Sequence, residues 1–234
     1  MSESRTALPL FPLGTVLMPR LIMPLHIFEP RYRALINDLR ALPEPDRRFG
    51  IVAIREGWEA GPGRVRALHV VGTAARLHDV TPHEDGRFDI IAVGTERFIL
   101  RDLLDTSTPY AMGSVTFIGE PDGERVAPAA EAVRTRFARY RSALAGSVQI
   151  TAMSGDGQPV DPIDGPELDP MALSYLVASA TILDIAERQA LLEEHDTASR
   201  LRCEAGILAR ETALAQALPS LPTSEFARVT QSPN

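Results

Sequence analysis

Up to about position 120 the chain is written in short apolar runs broken by prolines, glycines and charges; beyond it apolar residues recur at helical spacing. The runs LPLFPLG, TVLMP and LIMPLHIF (8–28) are extended pieces interrupted by proline. Proline has no N–H to give a ladder, so these pieces are predicted as edge strands or strand ends. EPRYRALINDLRAL then changes period. Tyr32, Leu35, Ile36, Leu39 and Leu42 fall on one helical face, with Arg33, Asn37 and Arg40 opposite. Strand-like runs follow at 49–54, 67–77, 87–93, 97–104 and 110–118, with Asp85-Gly86 in HEDGR as a hairpin turn.

In the second half, Val133, Phe137, Tyr140 and Leu144 line one side of a predicted helix. A Gly/Pro/Asp-rich loop (154–169) precedes the apolar helix MALSYLVASATIL, whose start is marked by Asp169 before Pro170. Two amphipathic helices follow, opening on the capping-type residues Asp184 and Thr197. Strands first and helices second predict an α+β chain: a β-rich part over 1–120, a helical bundle over 121–218, and a disordered tail over 219–234.

Composition narrows the functions. A net charge of −7 argues against the broad phosphate neutralisation of nucleic-acid binders and against anionic membranes. No apolar run is long enough to span a bilayer, and the N-terminus lacks the pattern of a signal peptide. Cys203 is the only cysteine, which excludes an intrachain disulfide and a cysteine zinc cluster and points to a cytoplasmic setting. All 24 basic residues are arginine. Without lysine there is no Walker A phosphate loop, no Ser-Lys dyad and no pyridoxal Schiff base.

The stretch PLHIFEPRYRAL concentrates charge. Glu29 before Pro30 is held extended, and Pro30 suits the first helical position. The Glu29 carboxylate is thereby set at a helix N-terminus, where exposed N–H groups attract an anion. His26, Phe28, Glu29, Arg31 and Tyr32, with Arg97 from further along the chain, are read as a structural corner, with Phe28 and Tyr32 packing inward and Glu29 bonded to backbone or arginine.

These residues also carry a resemblance. LPLFPLGTVLMPRLIMPLHIFEPRYRAL resembles the opening of the N-terminal, substrate-binding domain of Lon proteases, with its Leu-Pro-Leu-Phe-Pro-Leu strand and Pro-Leu-x-Ile-Phe-Glu-x-Arg-Tyr-Arg motif. VVGTAARL, DGRFDIIAVGTERFIL and the helical tail from ILDIAERQALLEEH onward are similar to later parts of that family. The likeness runs from about 8 to 216. VLMPR and the acidic loop at 154–169 depart from the pattern. The same module occurs in cereblon, whose zinc-bearing ligand domain needs cysteines this chain lacks. The resemblance implies a mixed, strongly bent sheet or partial barrel with one helix, followed by helices. It also implies recognition of protein substrates, without the ATPase and protease modules of Lon.

A non-catalytic recognition module is therefore expected, acting as adaptor, holdase or regulator of proteolysis. Unfolded or exposed-hydrophobic segments are its expected partners, together with a protease or chaperone. Leu10, Phe11, Leu13, Met18, Ile22 and Met23 are the candidate peptide-binding residues, through strand addition and flexible methionine contacts. A structural subunit and an unrecognised hydrolase are the alternatives.

Other candidates read more simply. Arg97 and Arg87 are expected to pair with neighbours such as Glu96 or Asp89. The arginines of VRTRFARYR do not form one stripe and are read as a solvated face. The acidic loop misses EF-hand spacing. His78 and His83 are placed in one loop without a third ligand, so neither metal nor cofactor is expected.

Overall fold

Of the two strands in the proline-broken N-terminal run, the second lies at an edge and the first does not. A computed structural model of the chain describes residues 4–57, 65–144, 152–153, 159–160 and 168–217. In it β1 (Thr6–Leu13) changes partner midway. Its first half pairs antiparallel with β7 (Met112–Phe117), and Leu10–Leu13 pair parallel with β3 (Arg48–Gly57). Each ladder is short, so Pro9 and Pro12 each interrupt little. This switch closes a barrel in the order β1-β7-β6-β5-β3 and back to β1.

The other strands follow the periodicity with two differences. The run at 67–77 is broken by His69-Val70 into β4 (Val65–Leu68) and β5 (Val71–Pro82). The runs at 87–93 and 97–104 are one strand, β6 (Phe88–Leu104), whose bulged ladders let it bend around the barrel. The Asp85-Gly86 turn is as predicted, with Gly86 at φ 78° joining β5 to β6. β2 (Ile22–Ile27) adds to the outside of β6, and β4 pairs only with β3 among the described residues. These two are the edges.

The barrel interior is small. Leu8, Leu10, Val52, Ala74, Phe98 and Val115 fill it. Gly50 and Gly72 make room for the Phe98 ring, since a Cβ on either would stand 2.9 or 2.5 Å from it. Helix α1 (Pro30–Arg40) lays Tyr32, Leu35, Ile36 and Leu39 over the outside of the sheet, against Phe11, Phe49, Ile51, Leu77 and Phe88. Leu42 lies beyond the helix end and is exposed.

Helices α2 (Val126–Leu144), α3 (Pro170–Ala180), α4 (Ile185–Glu193) and α5 (Thr197–Ala217) follow, with a two-residue strand pair, β8 (Ala152–Met153) and β9 (Pro159–Val160), between α2 and α3. Val133, Phe137 and Tyr140 are buried against Leu173, Val177, Leu201 and Leu208. Asp169 caps α3 by accepting from Ala172 N at 2.8 Å, and Asp184 forms a capping box with Glu187. The cap of α5 is Asp196, which accepts from Ser199 N at 2.7 Å; Thr197 is the first helical residue and is buried. The α+β reading holds. The predicted tail, and 154–158 and 161–167 of the predicted loop, lie outside the described residues.

Candidate functional site

The corner is built by register. β2 pairs with β6 so that His26 faces Asp89 and Ile27 faces Phe88. Glu29 is extended (φ −68°, ψ 135°) and Pro30 opens α1, as its position before proline requires. Its carboxylate forms no cap hydrogen bond; it pairs instead with Arg31 at 3.0 Å. The Arg31 guanidinium lies 4.5 Å over the Tyr32 ring, and Tyr32 stacks on Phe11 with centroids 4.0 Å apart. Charge, ring and ring form one pile anchored in the core. Phe28 departs from the expectation: it points outward and is 55% exposed, because the alternation along β2 buries Ile27 and turns its neighbour away.

This pile forms one wall of a groove of about 470 Å³. Arg31 and Tyr32 line one side, Leu68 and Val70 the β4–β5 edge, and Leu100 and Leu103 the far end of β6. Val70 is 54% and Leu103 61% exposed, so two large apolar side chains stand at an open cleft. Arg101 and Asp102 add charge around it, and His69 adds a polar ring. Such a groove can take an apolar side chain while offering polar partners to a backbone.

The peptide-binding candidates divide sharply. Leu10, Phe11 and Met18 are all 5% exposed or less, and Leu13 is equally buried, so none of the four offers a surface to a partner. Barrel closure is the physical cause. It turns Leu10 into the interior, Phe11 and Leu13 under α1, and Met18 against Tyr175, Leu191 and Leu192 of the helices. Ile22 is 67% exposed and Met23 half-buried, both on the edge strand β2.

Arg97 is also not where neighbour pairing would put it. It is buried, bonded to Glu120 and donating to the carbonyls of Leu192 at 2.7 Å and Glu194 at 2.6 Å. Glu96 pairs with Arg48 instead, and Asp89 with two histidines. Tyr175 donates to Glu120 as well, and burial raises its hydroxyl pKa. The sheet and the helices are thus joined through a polar core. Val70 and Leu103 stand where the local pattern breaks: His69-Val70 interrupts one apolar run and Leu103-Leu104 ends the alternation of another.

Comparison with known proteins bears on what this arrangement is for. The sequence profile of the ATP-dependent protease La (LON) substrate-binding domain matches residues 7–210. The chain belongs to the Lon substrate-binding domain family. It is 29% identical over 218 residues to Lon protease 4 of Sorangium cellulosum, covering 92% of this chain and 25% of that protein. To Lon protease 2 of Herpetosiphon aurantiacus it is 31% identical over 205 residues, 87% of this chain and 24% of the relative. The chain thus spans about a quarter of the length of these curated relatives. Its fold is that of the N-terminal domain of the Mycobacterium avium complex Lon protease (TM-score 0.64, 18% identity, 89% of this chain and 98% of that one). The Lon N-terminal domain protein from Xanthomonas campestris is also similar (TM-score 0.57, 24% identity, 87% and 98%). The family match is to a substrate-binding domain, not to a catalytic one.

Proposed function

We propose that this Lon-family domain recognises exposed apolar segments of unfolded proteins, holding an extended stretch in the groove between α1, the β4–β5 edge and the end of β6. It works in the cytoplasm as a non-catalytic adaptor or holdase in proteolysis, presenting clients to a protease or chaperone partner. The observation that carries the reading is that Val70 and Leu103, two large exposed apolar side chains, line one open groove beside an edge strand. An edge strand offers backbone hydrogen bonds to an added strand, while the groove selects alternate side chains. Ile22 and Met23, on the second edge β2, provide a further contact of the same kind.

The test compares binding of a reduced, carboxymethylated model protein by wild type, Val70→Asp and Leu103→Asp, using fluorescence anisotropy. Each variant is expected to weaken capture at least tenfold while shifting the thermal midpoint by under about 2 °C, as exposed substitutions do. Unchanged capture by both variants would remove the groove from the reading. Ile22→Asp then asks whether the β2 edge carries the binding instead.

A further inference from the structure

The outer face of the β2-β6-β5 ladder brings His26 to two side chains, His83 and Asp89, about 60 positions further along the chain. His26 on β2 stands opposite Asp89 on β6, and Thr81 on β5 stands opposite Asp89 from the other side. His83 follows at the start of the β5–β6 turn, which is closed by His83 N donating to Arg87 O and Gly86 N to His83 O, both at 2.9 Å. The result is convergence on one carboxylate: His26 Nδ1 lies 2.6 Å from Asp89 Oδ1, and His83 Nε2 lies 2.7 Å from Asp89 Oδ2. One donor atom from each residue falls within 4.8 Å of the others. Among the described residues this is the only such group.

We infer that His26, His83 and Asp89 form a surface site for a divalent transition-metal ion, with Zn²⁺ as the representative. Two imidazole nitrogens and a carboxylate oxygen are the donor set such ions prefer over calcium or magnesium, which take oxygen. Each ring already turns a nitrogen toward the Asp89 carboxylate, and the backbone under all three is fixed by ladder and turn. In the metal-free geometry each ring nitrogen is hydrogen-bonded to a different oxygen of Asp89, and a bound ion would replace those two contacts. A tetrahedral zinc shell spaces its ligand atoms roughly 3.3 Å apart, from bonds of about 2.0–2.1 Å. The two histidine–aspartate contacts, 2.6 and 2.7 Å, therefore have to lengthen by less than about 1 Å, while one ligand atom of each residue lies within 4.8 Å of the others.

Three ligands leave a fourth position, the mark of an open rather than a closed site. A cleft of about 400 Å³, lined by His26, Asp89, Asp79 and Thr81, adjoins the cluster and gives that position access to water or to a donor from another molecule. One neighbour works against the ion. Arg87 NH1 lies 3.5 Å from His26 Nε2, the ring nitrogen that carries the proton once Nδ1 binds a metal. Arg87 is also held by Asp85, at 2.5 Å, which offsets part of its charge. Bound metal would tie the end of the edge strand β2 to the β5–β6 hairpin.

Isothermal titration of tag-free protein with ZnCl₂, and with CoCl₂ followed by visible absorption, tests the assignment. One ion per chain is expected, with His26→Gln, His83→Gln and Asp89→Asn each weakening binding at least tenfold. His78→Gln, on the same hairpin but outside the cluster, should leave the titration unchanged, and Arg87→Gln should tighten it several-fold. Thermal midpoints without metal confirm that every variant folds. A wild type that binds no ion overturns the assignment. So does binding that His26→Gln and His83→Gln both leave intact, or that His78→Gln weakens as much as they do.

Discussion

Arg97 in the barrel wall and Arg200 in α5 are both fully buried, and both donate to the carboxylate of Glu120, which follows the last barrel strand. Two cations on one anion are tolerable here because Arg97 also serves the carbonyls of Leu192, Glu194 and Gly119, while Arg200 lies 4.0 Å over the Tyr175 ring. Removing one member leaves the others charged and buried. Arg97→Met is therefore expected to cost about 3–5 kcal/mol. Arg97→Lys should recover little, because an ammonium lacks the planar fork that reaches carboxylate and carbonyls together. Urea unfolding checks this; an Arg97→Met midpoint equal to wild type would mean that sheet and helices do not depend on this joint.

Two acids should give stability opposite pH slopes. Glu204 is buried beside Ser174, whose hydroxyl donates to it at 2.8 Å, and desolvation by burial raises its pKa well above the ordinary value. A raised folded pKa means the native state holds a proton the unfolded state has released. Stability from this group is complete at low pH and is lost as pH rises through the unfolded value of about 4.3 toward the folded one. Glu204→Gln should thus raise the thermal midpoint at pH 7.5 and change it little at pH 4. Asp196 is the reverse case: the hydrogen bond from the Ser199 backbone, helped by His195, lowers its pKa to about 2. Its contribution is present above about pH 4 and fades as pH falls toward 2. Asp196→Asn should flatten the acid limb alone. Midpoint-against-pH curves that match wild type in both variants would contradict both assignments.

Met18 and Ile22 separate core from surface within one short stretch. Met18 is packed among Val16, Ala53, Tyr175 and Leu191, so Met18→Asp buries a charge with no partner. It is expected to cost several kcal/mol and to leave much of the protein unfolded at 37 °C. Ile22→Asp should stay within about 0.5 kcal/mol of wild type. Circular dichroism melts of the pair decide. A folded Met18→Asp protein would show that the contact between the N-terminal loop and the helices is dispensable.

What the sequence told, and what it withheld, follows from the range of the interaction. Elements set by local period were legible: the α1 face of Tyr32, Leu35, Ile36 and Leu39, the Asp85-Gly86 turn, and the caps at Asp169 and Asp184. The opening LPLFPLG…PLHIFEPRYRAL, with the later VVGTAARL and DGRF segments, was enough to suggest the family. Barrel closure was not legible from local pattern. Whether Leu10 and Phe11 face solvent depends on β1 finding β3 and β7, about 40 and 105 positions away. The same holds for Arg97, whose partners lie at 120, 192 and 194, and for His26, which meets Asp89 and His83 only through strand register. Proline in β1 misdirected the reading because its cost falls on one ladder at a time, and β1 uses two in succession.

The corner itself offers the last test, by contrast with a true cap. Asp184 accepts from Glu187 N at 2.8 Å, a bond that needs only a side-chain oxygen. Asparagine supplies one, so Asp184→Asn should stay within about 0.5 kcal/mol of wild type while Asp184→Ala loses about 1 kcal/mol. Glu29 occupies the same position at the head of α1, yet its carboxylate meets Arg31 instead of the helix N–H groups. Charge, not an acceptor oxygen, is what that contact uses. Glu29→Gln should therefore lose most of what Glu29→Ala loses, about 1 kcal/mol for a half-buried pair, and added salt should narrow the gap to wild type. Chemical denaturation of the four variants in low and high salt reads this directly. If Glu29→Gln proves as stable as wild type, Glu29 works as a hydrogen-bond acceptor like Asp184, and the Arg31 pair contributes nothing to holding the corner.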